Sequence, residues 1–378
     1  MTAALAVAVT GSEGFIGRHV VEALGRRAGT RVSGIDVGTP AGNVREALLT
    51  AEAVIHLAGV NRPVSPDEYE TGNAGFTRDL CRMLSEAGRK PLVIFTSSTQ
   101  AALDNPYGRS KRGAEEELRR WAREGAAPVV VFRLPNAFGK WSRPFYNSAV
   151  ATFCHQAAHG LPLTITDPAR ELELVYIDDI VAGILRCLDA PPPGFEERSI
   201  EPVFRTTVGN VAEQIGGFPR TRDTLHVPDF SDALTARLYA TYVSHLDAPN
   251  LAYSLRTSVD PRGCLAEFLK APGFGQLFVS RTAPGVTRGN HYHHTKVEKF
   301  LVVEGEAVVR FRDTRGGPVV EHRVNGREFR VIDIPPGTSH SIQNVGASEL
   351  VTLFWANEVF DPERPDTYRF PVLEEGQK

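Results

Sequence analysis

Between residue 5 and about residue 133, short apolar runs alternate with longer amphipathic stretches, the pattern of a parallel sheet wrapped by helices. The apolar runs predict strands at 5–9, 31–35, 53–57, 92–96 and 129–132. The stretches between them predict helices such as 15–26 and 78–87. From about 142 to 246 the pattern is mixed and is broken by Pro191, Pro192 and Pro193; this region is expected to supply the substrate side of the first domain. After about residue 250 the texture changes to short β-rich runs, at 300–303, 307–311 and 329–334, with glycine and proline every few residues. That is the signature of an all-β barrel or sandwich. The expected architecture is a doubly wound α/β domain over 1–247 and an all-β domain over 248–378.

The length of 378 residues agrees with two domains, because single cores rarely grow beyond about 250–300 residues. Hydrophobic residues at 42% and charged residues at 23% are ordinary globular values and exclude disordered and collagen-like classes. A formal net charge of -3 provides no basic field for nucleic acid or an anionic membrane. Neither is expected as a partner, and an anionic substrate would need a local site. Cys81, Cys154, Cys187 and Cys264 form no CxxC pair and are expected to be buried reduced thiols. No apolar run approaches the roughly 18 residues of a membrane span. The stretch 3–9 has some character of a signal core, but it lacks a basic start and runs straight into a glycine-rich turn, so it reads as a first buried strand of a cytoplasmic protein.

That turn, Thr10-Gly11-Ser12-Glu13-Gly14-Phe15-Ile16-Gly17, follows the first strand and opens the first helix. Gly11 permits a sharp turn, Gly14 lets backbone approach a pyrophosphate, and Gly17 lets the helix pack closely; the helix N-terminus then offers N–H groups to the anion. The context fits a dinucleotide site rather than a plain strand-to-helix turn. Asp36, at the end of the second strand, stands where an acidic residue bonds the adenosine ribose and repels a 2'-phosphate, which favours NADH over NADPH. Arg18, just after the turn, is positioned to meet a phosphate instead, and Asp36 also suits a plain turn.

Ser98 closes the fourth strand, and Tyr107 and Lys111 follow at i and i+4 on one helical face. In this reading the ammonium sits near the phenol and brings its pKa toward the useful range, while Ser98 shares the substrate carbonyl. With His56-Leu57-Ala58-Gly59, Asn73, the run Arg133-Leu134-Pro135-Asn136-Ala137-Phe138-Gly139 and Tyr176-Ile177-Asp178-Asp179, residues 1 to about 246 resemble the extended short-chain dehydrogenase/reductases, a Rossmann-type family acting mainly on nucleotide sugars. The resemblance implies Ser98, Tyr107 and Lys111 as catalytic residues. It also implies cofactor contacts at Leu57, Ala58, Gly59 and Lys111, and substrate contacts at Asn136 and Arg133.

In the second half, His291, His293 and Glu298 lie between Gly285 and Gly305, and His340 and Asn344 follow Pro335-Pro336-Gly337. These spacings match the two motifs of the cupin barrels, except that Phe329 stands where a glycine is expected. His291 and His293 would share one strand face, Glu298 would return on the neighbouring strand, and His340 would add a third imidazole. Three histidines and a glutamate suit zinc, iron, nickel or manganese; a divalent metal, foremost zinc, is expected. An empty barrel of the same shape is the alternative. His294 and Lys296 beside these ligands are candidate proton-transfer groups.

Nearly the whole chain resembles the CapF-type capsule-biosynthesis enzymes, fused reductase and cupin proteins. The likeness lies in His56 through Pro63, Asp104 through Gly108, Phe138 through Trp141, Gly289 through Lys296 and Phe360-Asp361-Pro362. It implies C3 epimerisation of a UDP-linked 4-keto-6-deoxy-N-acetylhexosamine by the cupin, NADPH-dependent reduction at C4, and a homodimer. Two other readings stay open on sequence: a 4-ketoreductase whose cupin serves dimerisation, and an NAD(P)-binding redox sensor.

Overall fold

The computed structural model describes residues 4–374; Ala3, the first residue of the stretch 3–9, lies outside the described residues. The chain forms two compact units, one of residues up to 216 with 237–246, the other of 217–236 with the residues from 247 onward. The division is therefore not a single cut near 247. Residues 225–227 leave the first unit's sequence and pair with the second: Lys270 N–H donates to Leu225 O at 2.7 Å and Val227 N–H to Lys270 O at 2.9 Å.

The first unit runs β1 (Leu5–Thr10), α1 (Phe15–Arg26), β2 (Thr30–Ile35), α2 (Ala41–Thr50), β3 (Ala53–His56) and the short α3 (Asp67–Tyr69). A π-helical turn, Glu70–Gly75, leads into α4 (Phe76–Glu86). Then come β4 (Leu92–Ser98), α5 (Pro106–Gly125), β5 (Val129–Leu134), β6 (Asn136–Phe138), α6 (Ala149–Ala158), β7 (Glu171–Tyr176), α7 (Ile177–Asp189), β8 (Phe195–Arg198) and β9 (Val203–Thr207). Three helices follow in the chain: α8 (Val208–Gly217), α9 (Thr221–Thr224), which belongs to the second unit, and α10 (Ala233–Val243).

The main sheet has the order β2-β1-β3-β4-β5-β8 and every pairing in it is parallel. Alternation along the strands builds two cores. Val7 and Val9 of β1 join Val20 and Leu24 of α1 and Ile180 and Ile184 of α7. Ala8, between them, faces Leu48 of α2, Leu80 and Leu84 of α4, and Leu118 and Trp121 of α5. Burying each such large apolar side chain contributes roughly 1.5–3 kcal/mol. The residues expected to be only mixed supply β7 and β9, which join β6 in a small separate sheet.

The second unit continues β10 (Thr257–Asp260), β11 (Gly263–Ala271), β12 (Gly275–Thr282), β13 (Thr287–Tyr292), β14 (Glu298–Glu304), β15 (Glu306–Asp313), β16 (Val320–Asn325), β17 (Val331–Ile334), β18 (Thr338–Asn344), β19 (Leu350–Ala356) and β20 (Tyr368–Arg369). Two sheets, β10-β11-β12-β19-β14-β17 and β16-β15-β18-β13-β20, enclose Phe300, Val309, Ile334, Ile342 and Phe354. The strand expected from 329 begins only at Val331. Phe329 has φ 45 and is 67% exposed, so a bulky residue occupies the left-handed conformation that explains why the motif carries glycine here. All four cysteines are free; Cys81, Cys154 and Cys187 are buried and Cys264 is half-buried. No helix among the described residues is long and apolar enough to cross a membrane.

Candidate functional site

The glycine turn takes the shape its residues require. Gly11 has φ +70, and a Cβ on it would lie 2.7 Å from Ala58 N; a Cβ on Gly17 would lie 2.0 Å from Gly11 O. Gly14 stands at the N-terminus of α1 with no side chain capping it, which leaves the first-turn N–H groups of Phe15, Ile16 and Gly17 without helical acceptors. Asp36 lies beside this turn: its carboxylate accepts from Glu13 N–H at 2.7 Å and from Val37 N–H at 2.8 Å. Arg18 turns to Glu13 at 3.5 Å, both side chains exposed, rather than standing alone to meet a phosphate.

Behind the turn a chain of hydrogen bonds fixes the loop after β3. Thr10 Oγ1 lies 2.7 Å from His56 Nδ1 and accepts from Ala58 N–H at 3.2 Å; His56 Nε2 lies 3.0 Å from Thr77 Oγ1, which donates to Asn73 O at 2.8 Å. Burial, aided by the Lys111 charge, lowers the His56 pKa to about 3, so it is a neutral relay of structure, with Nδ1 accepting and Nε2–H donating. Asn73 sits in the π-helical turn, accepts from Val60 N–H at 3.0 Å and donates to Val60 O at 3.0 Å and Ser110 Oγ at 2.9 Å. It thereby ties the Leu57–Gly59 loop to the helix carrying Tyr107 and Lys111. Ser110 escaped the sequence reading; its position between Tyr107 and Lys111 was the available signal.

Asn105 caps α5 by accepting from Gly108 N–H at 2.8 Å, with Pro106 in the first turn. A Cβ on Gly108 would meet Gln100 O at 2.3 Å, so glycine after Tyr107 lets the helix start press against the segment following Ser98. Tyr107 is half-buried, with its ring 5.7 Å from that of Tyr69. Burial raises the phenol's pKa, a hydrogen bond with Ser98 opposes this, and Tyr69 adds to it. Lys111 is 6% exposed and donates to Thr96 O at 2.9 Å, with Nζ 4.5 Å from the Phe95 ring centroid. Burial lowers its pKa to about 8, against the pull of Glu115. A buried ammonium needs an acceptor, and the β4 carbonyl provides it.

Arg133 is likewise engaged inside the unit. It forks onto buried Glu115 at 2.9 and 2.6 Å, and Ser97 Oγ donates to the same carboxylate at 2.5 Å. Its partner is a framework carboxylate, and its side chain stays partly exposed. Asn136 is exposed and donates to Glu173 O at 3.1 Å.

In the second unit, ligand atoms of His291, His293, Glu298 and His340 all lie within 4.8 Å of one another. Two details differ from expectation. His293 falls just beyond the end of β13, and Glu298 opens β14 in the opposite sheet rather than on a neighbouring strand. A bulge between Gly289 and His291 allows this: Gly289 has φ 94 and lies against His340 O, where a Cβ would come within 2.7 Å. His291 then pairs across the ladder with His340, ring centroids 4.6 Å apart. His293 Nδ1–H donates to Asp366 O at 2.5 Å, which turns Nε2 toward Glu298 Oε2 at 3.3 Å; His340 Nε2 reaches the same oxygen at 3.4 Å.

Both Nε2 atoms are buried without a hydrogen-bond partner. They converge on a common point instead, and this donor set fits a divalent metal. Burial works to raise the Glu298 pKa, but the His293 and His340 imidazoles beside it prevail and hold it at about 2. Burial and the neighbouring His340 and His293 lower His291 to about 4. The carboxylate is thus ionised and His291 neutral at pH 7, as ligation requires.

The Asp366 carboxylate accepts from the N–H groups of His294, Thr295 and Lys296 at 2.9, 3.0 and 2.9 Å. Asp366 was not among the sequence candidates because it lies far along the chain from the motif it braces. His294 is exposed against Tyr368. Lys296 is 5% exposed and donates to Pro365 O at 3.0 Å.

A doubly wound dinucleotide fold with a Tyr-Lys helix, continued by a barrel with a three-histidine, one-glutamate cluster, defines a reductase fused to a cupin. The chain belongs to the NAD dependent epimerase/dehydratase family, whose profile matches residues 7–201; the polysaccharide biosynthesis C-terminal domain matches 258–368. It is 43% identical, over 97% of this chain and 99% of the relative, to UDP-2-acetamido-2,6-beta-L-arabino-hexul-4-ose reductase of Pseudomonas aeruginosa. Among solved structures it is similar to the capsular polysaccharide assembling protein CapF of Staphylococcus aureus, with a TM-score of 0.91 and 39% identity over 97% of this chain and 100% of that one. A CapF structure with the inhibitor 3-isopropenyl-tropolone gives a TM-score of 0.85 and 35% identity, with coverage of 97% and 99%.

Proposed function

We propose that this protein is a bifunctional nucleotide-sugar enzyme that epimerises C3 of a UDP-linked 4-keto-6-deoxy-N-acetylhexosamine in the cupin and reduces the C4 ketone in the first unit, for surface-polysaccharide or natural-product assembly. The observation that carries the reading is that one chain holds two centres, the Tyr107 and Lys111 helix and the converging cluster of His291, His293, Glu298 and His340. The likeness to a reductase of a UDP-linked keto-sugar over nearly the whole chain supports it.

The Gly11–Gly17 turn would hold a reduced nicotinamide, which would supply the hydride. Asp36 beside that turn weights the choice toward NADH, whereas the CapF likeness implies NADPH. Tyr107, whose pKa burial raises, keeps its proton at pH 7 and hands it to the C4 oxygen. Ser98, hydrogen-bonded with Tyr107, aligns that oxygen. Lys111 places a positive charge below the site, held by Thr96.

In the cupin, a divalent metal, foremost zinc, would supply Lewis acidity to the sugar carbonyl. The C4 ketone acidifies the C3 hydrogen, and this acidity disappears once the ketone is reduced, so epimerisation precedes reduction. His294 and Lys296 are the flanking groups for proton transfer. The assembly is taken to be a homodimer, testable by light scattering.

The test is incubation with UDP- and dTDP-4-keto-6-deoxy sugars in heavy water, with and without each nicotinamide, followed by NMR of the products. Deuterium entering C3 without cofactor, and a reduced C4 with it, are the expected results. Reduction without deuterium uptake leaves only the ketoreductase. No reaction with any sugar overturns the reading. Tyr107→Phe should lower reduction by about 10³-fold with C3 exchange unchanged.

A further inference from the structure

We propose that Arg62 and Arg143, gathered on the ring of Tyr146, form a clamp for the diphosphate of the nucleotide-linked sugar. The inference rests on the nucleotide-sugar reading above and adds to it the place where the charged linker is held. Arg62 lies in the loop after β3, and Arg143 and Tyr146 lie between β6 and α6, all in the first unit. The guanidinium carbons stand 5.1 Å (Arg62) and 5.2 Å (Arg143) from the Tyr146 ring centroid. The two positive charges are therefore confined to within about 10 Å of each other, where they repel.

Among the described residues no carboxylate forms an ion pair with either guanidinium, whereas nearby Lys140 is paired with Asp178 at 2.7 Å. The groups that position the pair are neutral: Tyr146 Oη donates to Asn61 Oδ1 at 2.7 Å, and Arg62 Nε donates to Asn147 Oδ1 at 2.8 Å. Arg62 thus spends only its Nε–H, and its remaining N–H groups stay available. Two guanidinium forks with free donors suit the oxygens of two linked phosphates, which they bind by paired, charge-assisted hydrogen bonds.

The place along the chain is also right. A Cβ on Gly59 would stand 3.6 Å from Lys111 Nζ, so the loop passes over the reductase centre. Arg62 follows three residues later, at most about 10 Å of chain away. In a nucleotide sugar the diphosphate hangs on C1, across the ring from the reacting C4, so the linker belongs at this short remove. The cofactor also carries a pyrophosphate, but that group has its own seat at the Gly11–Gly17 turn.

The test is titration calorimetry of the full chain with UDP, uridine, inorganic pyrophosphate and NADH. It compares the wild type with Arg62→Gln, Arg143→Gln, the double variant and the two lysine substitutions, all with matched thermal melting. The wild type should bind UDP more tightly than uridine. Each glutamine variant should weaken UDP by about tenfold and the double variant by about a hundredfold, with NADH and uridine changed less than about twofold and part of the affinity restored by lysine.

Unchanged UDP affinity in the double variant overturns the clamp, as does a wild type that binds neither UDP nor pyrophosphate. A loss that falls on NADH instead assigns the arginines to the cofactor and also overturns it. A wild type that binds pyrophosphate through both arginines but reduces no keto-sugar nucleotide keeps the anion clamp and removes the nucleotide-sugar reading. Unchanged KM for a turned-over sugar nucleotide in the double variant keeps that reading and removes the clamp.

Discussion

Lys111 and Glu115 lie one turn apart on α5, both buried, and the carboxylate supports the charge on the ammonium against the burial that pulls its pKa down to about 8. Glu115 is itself held by Ser97 and Arg133. Replacing it with glutamine keeps the shape and removes the charge. In Glu115→Gln the alkaline limb of the reductase pH profile should move to lower pH, and stability should fall by about 1–3 kcal/mol. Rates measured between pH 6 and 10, together with urea unfolding, check both halves.

Lys111 itself should be costly to the fold. Its pKa falls from the ordinary lysine value of 10.5 to about 8 in the folded chain, so the unfolded state binds the proton more tightly. Wild-type stability therefore rises with pH as the pH climbs from 8 to 10.5, and the penalty is fully present below 8. Lys111→Met should abolish reduction. Relative to wild type it should show its greatest stability below pH 8, with the difference shrinking as the pH rises toward 10.5, by an amount on the order of 3 kcal/mol. Melting curves at several pH values decide it; a difference that does not vary with pH would overturn the argument.

Asp366 offers a test of the metal centre that leaves every ligand in place. Its carboxylate gathers three consecutive N–H groups and its main-chain oxygen orients His293. Asp366→Ala should weaken zinc binding by about 10–100-fold, as read by competition with a chelating dye. His340→Ala should remove the melting-temperature increase that added zinc gives the wild type. Loss of reductase activity in Asp366→Ala at saturating zinc would count against a role confined to the barrel.

Phe329 occupies a left-handed backbone position while 67% exposed, so its ring gains little from burial. Phe329→Gly should stabilise the barrel by about 1 kcal/mol, visible in urea unfolding with no change in metal affinity.

Where a physical requirement was local, the chain declared it. Gly11 and Gly17 are needed because a Cβ would strike Ala58 or Gly11 itself, and α1 spans Phe15–Arg26 as its periodicity predicts. The spacing of His291, His293, Glu298 and His340 likewise pointed to a cluster that the fold brings together. What escaped depends on tertiary neighbours. The Lys111 ammonium bonds Thr96 because of how β4 meets α5, and Arg133 on β5 bonds Glu115 on the α5 that packs over it. Asp366 reaches its loop from more than 70 residues away, a separation that no motif spacing records. The segment 217–236 groups with the second unit, where 225–227 pair with Lys270, a tertiary contact that no apolar pattern records.

The metal donors come from both sheets, His291 and His340 from one and Glu298 from the other. An ion held there would link the two sheets, and its full ligand set would be complete only after the two halves have closed. A spectroscopic substitute such as cobalt would therefore time barrel closure during refolding, its ligand-field bands rising only once the opposed sheets have met.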